Sequence, residues 1–436
     1  SGNLAALTYD PVWWGAAGDL IADDTLELQA AINAACSAGG GTVLATQDYL
    51  ANAVSSVPAL GNFVLTIGCD NLTIEGRGKG RIKTSNSSFG RLLTAWGIFK
   101  PGGLSGSQDF QYADATVYTM TTATRGAQSI TLATPSHANN FVVDDYIFIR
   151  TGQCVTGTGA EPDSELNQVV SSNGETGIIV LRYPLAKNYA QEYYISGTSG
   201  ITSTSVTANL APFGAAKVTD RTIKNIRIAN VSIEVSSSQS DNVTALAGGQ
   251  IDGVVVENVT GNVTGPFHSY GQFRAGRFTR NVVYIKRSDD TFWYCFSTAT
   301  GATDVIIADN VCTGHGFMHS HEGGARIVYA NNIVNQDVNT VSADNAYSFR
   351  ARGYDIHIHG GSIYHNMPGA AVRIESDVLD GSVTGLVING AQTTTGIGLL
   401  STSGKWAMTG NVCLNGLTGC GIVLPDGTLG SNLAVA

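Results

Sequence analysis

Charge is scarce in this chain: Lys and Arg number 24 and Asp and Glu 34 among 436 residues, for a net charge of −10. No cluster of Lys and Arg occurs, which excludes nucleic acid as the main partner, because phosphate binding needs grouped cations. No apolar run approaches the roughly 20 residues of a membrane span, and no signal-peptide pattern is present. The opening Ser1-Gly2 suits a trimmed or mature form. The Glu, Lys, Leu and Arg that long surface helices prefer are sparse. The seven cysteines contain no C-x-x-C pair, which excludes the usual zinc spacing, and no cofactor or metal is expected. They read as buried small apolar side chains, at least one of them a free thiol, with a Cys413–Cys420 bridge permitted but not required.

What the chain does have is 53 glycines and abundant Ser, Thr, Asn and β-branched residues, the mixture for many short strands and tight turns. Near the amino end, Leu28, Ala31, Ile32 and Ala35 follow a helical period. Asp24 or Thr25 is the expected N-cap and Gly39-Gly40-Gly41 the stop. A strand opens at Val43, and Asn71 to Gly78 alternates into a turn. This stretch resembles the amino-terminal cap of the pectate-lyase-like right-handed β-helix superfamily, although Ala45-Thr46-Gln47-Asp48 replaces the family's Pro and Gly before Tyr49. Between 101 and 221 the pattern is lost. Gln128–Leu132, Asp145–Arg150 and Thr176–Leu181 suggest a small inserted β unit like those of phage tailspike depolymerases, with Cys154 to Ser164 as a surface loop.

After Arg221 a motif recurs: branched apolar residues, two spacers, then Asn and another branched residue. It ends at Asn230, Asn258, Asn281, Asn310 and Asn332, with a further copy at Asn411. Intervals of 28, 23, 29 and 22 fit one coil of a parallel β-helix, with Asn laddered at one turn. The expected fold is therefore all-β: a right-handed parallel β-helix with an N-terminal capping helix and an inserted β unit. Residues 1–100 form the cap and first coils, 101–221 the insertion and 222–436 the main coils.

Titratable residues concentrate between Asn281 and Arg352. Asp289-Asp290, Gly314-His315-Gly316 and Arg350-Ala351-Arg352 resemble, in order and spacing, the polygalacturonase-type family of inverting glycoside hydrolases. Two departures are plain: the family's third carboxylate is missing near His268, and the last motif ends in Arg352 rather than Lys. The resemblance implies hydrolysis of a linear, acidic polysaccharide, and the residues suit it. One carboxylic acid protonates the leaving oxygen while another carboxylate activates water. Asp289, Asp290, His315 and Glu322 are the catalytic candidates, Glu322 standing in for the missing acid. Arg350, Arg352, Lys286, His319, Trp293 and Tyr347 are the substrate-binding candidates, with Trp13, Trp14, Phe292, Tyr294 and Tyr354 as further stacking aromatics.

Neighbours on a regular strand face opposite sides, so both Asp can share a site only at a turn or bulge. The competing view of Ser288–Thr291 is a solvated turn. His319 with His321 and His357 with His359 are same-face pairs too few to hold a metal; Glu375 and Asp377 are a reserve acidic pair. Alternatives are a polysaccharide lyase using Arg350, Arg352 or Lys286 as its base, and a non-enzymatic glycan-binding adhesin. The tailspike resemblance implies a homotrimer at the cell exterior or virion surface.

Overall fold

The structure, a computed structural model, describes residues 7–57, 61–85, 90–96, 116–121, 123–150, 164–189, 214–236, 243–287, 292–298, 301–320, 324–336, 347–351, 353–365, 369–374, 380–390, 394–399, 405–414 and 422–423. Short parallel strands stack coil upon coil around a continuous core, giving the expected parallel β-helix with three faces. The helix Thr25–Ser37 closes its amino end and buries Leu28, Ala31, Ile32 and Ala35, the residues marked by the helical period. Asp24 is its N-cap position, yet its carboxylate accepts from Ala17 N and Gly18 N and thereby ties down the preceding loop.

One coil shows how the faces arise. Ile223–Ala229 lies on face one and Ser232–Val235 on face two. Thr244–Glu257 starts on face three, bends at Gln250 (φ 55°) and ends on face one of the next coil. Inward positions stack in register: on face one the column runs Val43, Ile74, Ile228, Val256, Phe278, Ile307 and onward through Tyr329. All are buried, so the alternation of each strand places its branched residues inside.

The corner from face one to face two is left-handed in every coil from Asn230 onward: Asn230, Asn258, Arg280, Asp309 and Asn331 have φ between 52° and 57°, and Gly360, Gly385 and Gly410 follow. Asn, Asp and Gly tolerate that conformation best, which is why Asn recurs. The recurring Asn, however, form two ladders offset by one residue. Asn230 and Asn258 occupy the outer corner position, where Asn258 Nδ2 donates to Asn230 Oδ1 at 3.1 Å and Arg280 Nε donates to Asn258 Oδ1. Asn281, Asn310 and Asn332 sit one residue later and point inward, all buried. Asn281 N and Nδ2 each donate to Asn310 Oδ1 at 2.9 Å, Asn310 does the same to Asn332 Oδ1, and their amides also donate to Val256 O, Phe278 O and Ile307 O.

The chain leaves the stack after the strand Gly90–Trp96 and re-enters at Ile223, yet Leu93 pairs with Leu246 and Ile82 with Ile233, so the stacking is unbroken. What leaves is an antiparallel sheet ordered Val117–Tyr118, Gly214–Lys217, Tyr146–Arg150, Ser164–Asn173, Ile178–Leu181, Ser129–Thr131. Ser164–Asn173 escaped the sequence pattern because its first six residues are all buried and do not alternate. Glu165 within it accepts from Ala186 N, Tyr189 Oη and Asn167 Nδ2, and burial pushes its carboxyl pKa up. The unit docks at the corner of faces three and one: Tyr146 Oη donates to Asp252 at 2.6 Å, and Arg274 pairs with Asp252 while lying over the Tyr183 ring.

The cysteines overturn one expectation. They are not simply buried thiols: Cys36 bridges Cys69, Cys295 bridges Cys312, and Cys413 is also disulfide-bonded. The partners of the first two bridges are 33 and 17 residues apart and meet only because successive segments stack. Asn310→Ala should cost about 2–4 kcal/mol in chemical denaturation, since it strands the buried Asn281 N–H and Phe278 carbonyl. A loss below about 0.5 kcal/mol, the range of an inert surface change, would show the inner ladder to be dispensable.

Candidate active site on the third face

His315 by itself joins Val311–Gly314 on face two to Gly316–Ser320 on face three. Its N–H donates to Ile285 O at 3.0 Å and its carbonyl accepts from Trp293 N at 3.0 Å. Ile285 ends the preceding coil's face-two strand and Trp293 opens its face-three strand, so His315 holds both ends of the connection 286–292. That connection carries Asp289 and Asp290, which lie outside the described residues. The His315 side chain is 8% exposed, with its ring 5.4 Å from that of Phe292.

The flanking glycines have structural reasons. Gly314 has φ 76°, and a Cβ there would run into Ile285 O. A Cβ on Gly316 would run into Cys295 Sγ and lie 2.7 Å from Cys312 Sγ, so the interior disulfide requires glycine beside His315.

On face three, Met318, Phe349 and Val372 stack inward in the core. Alternation therefore turns Phe317, His319, Arg350 and Arg373 outward. Ser297, His319, Arg350 and Arg373 are register partners on successive coils and form one polar column. The upper half of this column is covered: Ser297 and His319 are each 1% exposed, and the His319 ring lies 5.0 Å from Tyr294 and 5.8 Å from Phe317. Arg350 and Arg373 are half-buried. Arg350 Nη1 donates to Tyr347 Oη at 3.2 Å, and its guanidinium lies 5.4 Å from that ring's centre.

The substrate-binding candidates thus separate. His319, Arg350 and Tyr347 come together, but Tyr347 is 3% exposed and packs edge-on against Phe317, so it supports Arg350 rather than offering a face to a sugar. Trp293 packs against the main core with Arg287 5.9 Å over its ring, and Lys286 is exposed at the start of the 286–292 connection. Tyr354 is buried with Ala186 and Ala325 beneath the inserted unit, whereas Trp13 is 66% exposed at the distant amino end. Glu322, Arg352, Glu375, Asp377 and His321 lie outside the described residues. The whole strand Gly316–Ser320 separates His315 from position 322, about 3.3 Å of chain per residue.

His268 is a core residue, its ring 4.2 Å from Phe278, and burial lowers its pKa to about 3. It therefore stays neutral at ordinary pH. His357 and His359 stack with ring centres 5.5 Å apart on face one, each with Nδ1 hydrogen-bonded to a hydroxyl of the next coil, Ser382 and Thr384. Among the described residues, no three His, Cys, Asp or Glu converge as metal ligands. Arg373 was not singled out in the sequence, because its relation to Arg350 exists only through coil register.

No family model matches the chain, and neither does any curated protein. Solved structures do. The Pseudomonas phage phi297 tailspike gp61 superposes with a TM-score of 0.52 at 8% identity, over 93% of this chain and 73% of that one. Geobacillus virus E2 ORF18 superposes with a TM-score of 0.50 at 12% identity, over 96% of this chain and 59% of that one. At such identities the likeness is one of fold: the protein is a parallel β-helix with an amino-terminal cap and an inserted antiparallel unit.

Gly316→Ala should prevent closure of the Cys295–Cys312 bridge and raise the thiol count of the denatured, unreduced protein by two. An unchanged count would mean that the backbone beside His315 can move to admit the methyl group.

Proposed function

We propose that face three is the active groove of an enzyme that hydrolyses a linear, acidic polysaccharide outside the cell or on a virion surface. The observation that supports this reading is that the His315 backbone holds both ends, Ile285 and Trp293, of the connection whose sequence carries Asp289-Asp290. A connection between strands is where adjacent carboxylates can share a site, and one of two neighbouring acids then keeps its proton. In this reading one Asp protonates the leaving oxygen, the other activates water and His315 orients the pair, with Arg350 beside the site to bind an acidic sugar. The disulfides suit an oxidising environment.

The test is a digest of acidic and neutral polysaccharides followed for new reducing ends and for the ultraviolet absorbance of unsaturated uronates, with Asp290→Asn alongside. New reducing ends without absorbance, reduced at least a hundredfold in the variant, are expected. Absorbance would replace hydrolysis by elimination, with Arg350 and its Tyr347 partner as the basic pair to examine. Tight glycan binding with no product would make the protein an adhesin.

The protein is further proposed to assemble as a homotrimer through face two. Its outward column from Val282 through Val311, Ile333, Ser362 and Val387 to Val412, and the one from Tyr284 through Tyr364 to Leu414, carry no charge. Val282, Tyr284, Ile333, Tyr364 and Leu414 are 38–48% exposed, and Ile333, Tyr364, Val387 and Leu414 line a depression of about 270 Å³. For a chain of net charge −10, these uncharged columns are where copies meet with least repulsion. Light scattering should give three chains, and Ile333→Glu should give one; a monomeric wild type would reject the assembly.

A further inference from the structure

On face one the strands Tyr354–His359 and Asp380–Thr384 lie side by side, with His357 in register with Ser382 and His359 with Thr384. Ile356, Ile358 and Val383 belong to the core, so alternation turns both histidines and both hydroxyl residues outward. Each histidine meets the hydroxyl opposite it through Nδ1, His357 at 2.7 Å from Ser382 Oγ and His359 at 2.6 Å from Thr384 Oγ1.

The two pairs differ at the other ring nitrogen. His357 Nε2 lies 3.0 Å from Asp355 Oδ1, whereas His359 forms no ion pair among the described residues. Ionised Asp355 can only accept, so His357 carries its proton on Nε2 and its Nδ1 lone pair accepts the Ser382 hydroxyl hydrogen. Arg125 of the inserted unit holds the second oxygen of Asp355 at 3.5 Å, and the His359 ring stacks on that of His357 at 5.5 Å, so acid and imidazole are each fixed from a second side. Burial and the neighbouring His357 lower the His359 pKa, and at neutral pH it adds no positive charge there. A hydroxyl, an imidazole and a carboxylate linked in this order are the parts of an activated nucleophile. Here the ring nitrogens exchange their more usual roles, Nδ1 facing the serine and Nε2 the acid.

We propose that Ser382, His357 and Asp355 form a second catalytic site, which removes a short acyl group from an O-acylated glycan. Ser382 is the nucleophile, His357 the general base and acid, and Asp355 positions the imidazole. The glycan as carrier of the ester rests on the reading above; the serine site does not. Oγ attacks the acyl carbon as its proton passes to His357 Nδ1, and the bond to the sugar oxygen breaks, that oxygen leaving with the proton. Water then attacks the acyl-serine, gives a proton to Nδ1 and releases the carboxylic acid as Oγ takes the proton back. The acyl group is short because Ser382 is only 7% exposed. Approach is from the next coil, where its register partner Ala407 is exposed and ends in a methyl group.

The full chain is treated with a fluorophosphonate probe and mapped by peptide mass, and acetate release is followed from O-acetylated oligouronates. One adduct per chain, on Ser382, is expected, together with acetate release that falls about a hundredfold or more in Ser382→Ala and in His357→Gln. Thr384→Val should change neither readout, since no carboxylate stands behind His359. Absence of an adduct on wild-type Ser382, a result that needs no variant to fold, would overturn the site, as would undiminished labelling of Ser382 in His357→Gln. An adduct on Ser382 without acetate release would overturn the deacylation of glycans. Cleavage of the polysaccharide chain should be unchanged in Ser382→Ala, so loss of this site and loss of the face-three site are told apart.

Discussion

The left-handed corner between faces one and two is the constraint on which the rest of this structure depends. A slip of one residue there would turn every following strand inside out, sending Ile307 and Tyr329 to solvent and Ile306 and Val328 to the core. Two ladders hold the register. The outer one accepts the corner conformation at low cost; the inner one caps carbonyls at the ends of the face-one strands, Val256, Phe278 and Ile307, which the corner would otherwise leave buried and unpaired. Because each coil is pinned at this corner, the opposite side of the solenoid inherits the alignment. Ser297, His319, Arg350 and Arg373 form a column on face three for no local reason of their own.

Much of the fold is legible in sequence for the same cause. A corner that needs φ near 55° selects Asn, Asp or Gly at every coil from Asn230 onward but the one with Arg280, and a half-buried strand before it selects branched residues at alternate positions, so the pair recurs visibly. The two Asn ladders could not be told apart, since Asn258 to Asn281 differs from a true coil step by only one residue. The cap was legible because its helix carries a clean apolar period and ends in glycines. The disulfide Cys295–Cys312 was not, since nothing in a linear spacing of 17 says that two side chains converge inside the solenoid. The strand Ser164–Asn173 was hidden for a different reason. Glu165, Asn167 and Gln168 are buried and hydrogen-bonded where the inserted unit meets the helix, and buried polar residues leave no periodic signal.

At the candidate site, residue types were legible and placement was not. Gly314-His315-Gly316 stands out in sequence, yet both glycines are explained by packing, one by the carbonyl of Ile285 and the other by a disulfide. What the glycines leave over is His315 itself, whose backbone holds both ends of the 286–292 connection. Conversely Arg373, in an unremarkable stretch, joins the face-three column only through its register with Arg350 one coil away.

The three faces differ because their connections differ. Face one passes to face two through a single fixed corner, so the edge they share cannot vary. Face two passes to face three through one residue at His315, but through residues 286–292 one coil earlier and 337–348 one coil later. The inserted unit leaves from the far edge of face three, after Trp96, and packs back along that corner through Asp252, Arg326 and Asp380. Face three is thus bordered by connections of differing length on one edge and by the inserted unit on the other, while the outward columns of face two from Val282 onward carry no charge. Irregular connections on a rigid stack are where chemistry can be placed without disturbing register, and a bare flat face is where a copy can lie without distorting it. Which edge can vary and which cannot is decided by the corners that the left-handed residues fix.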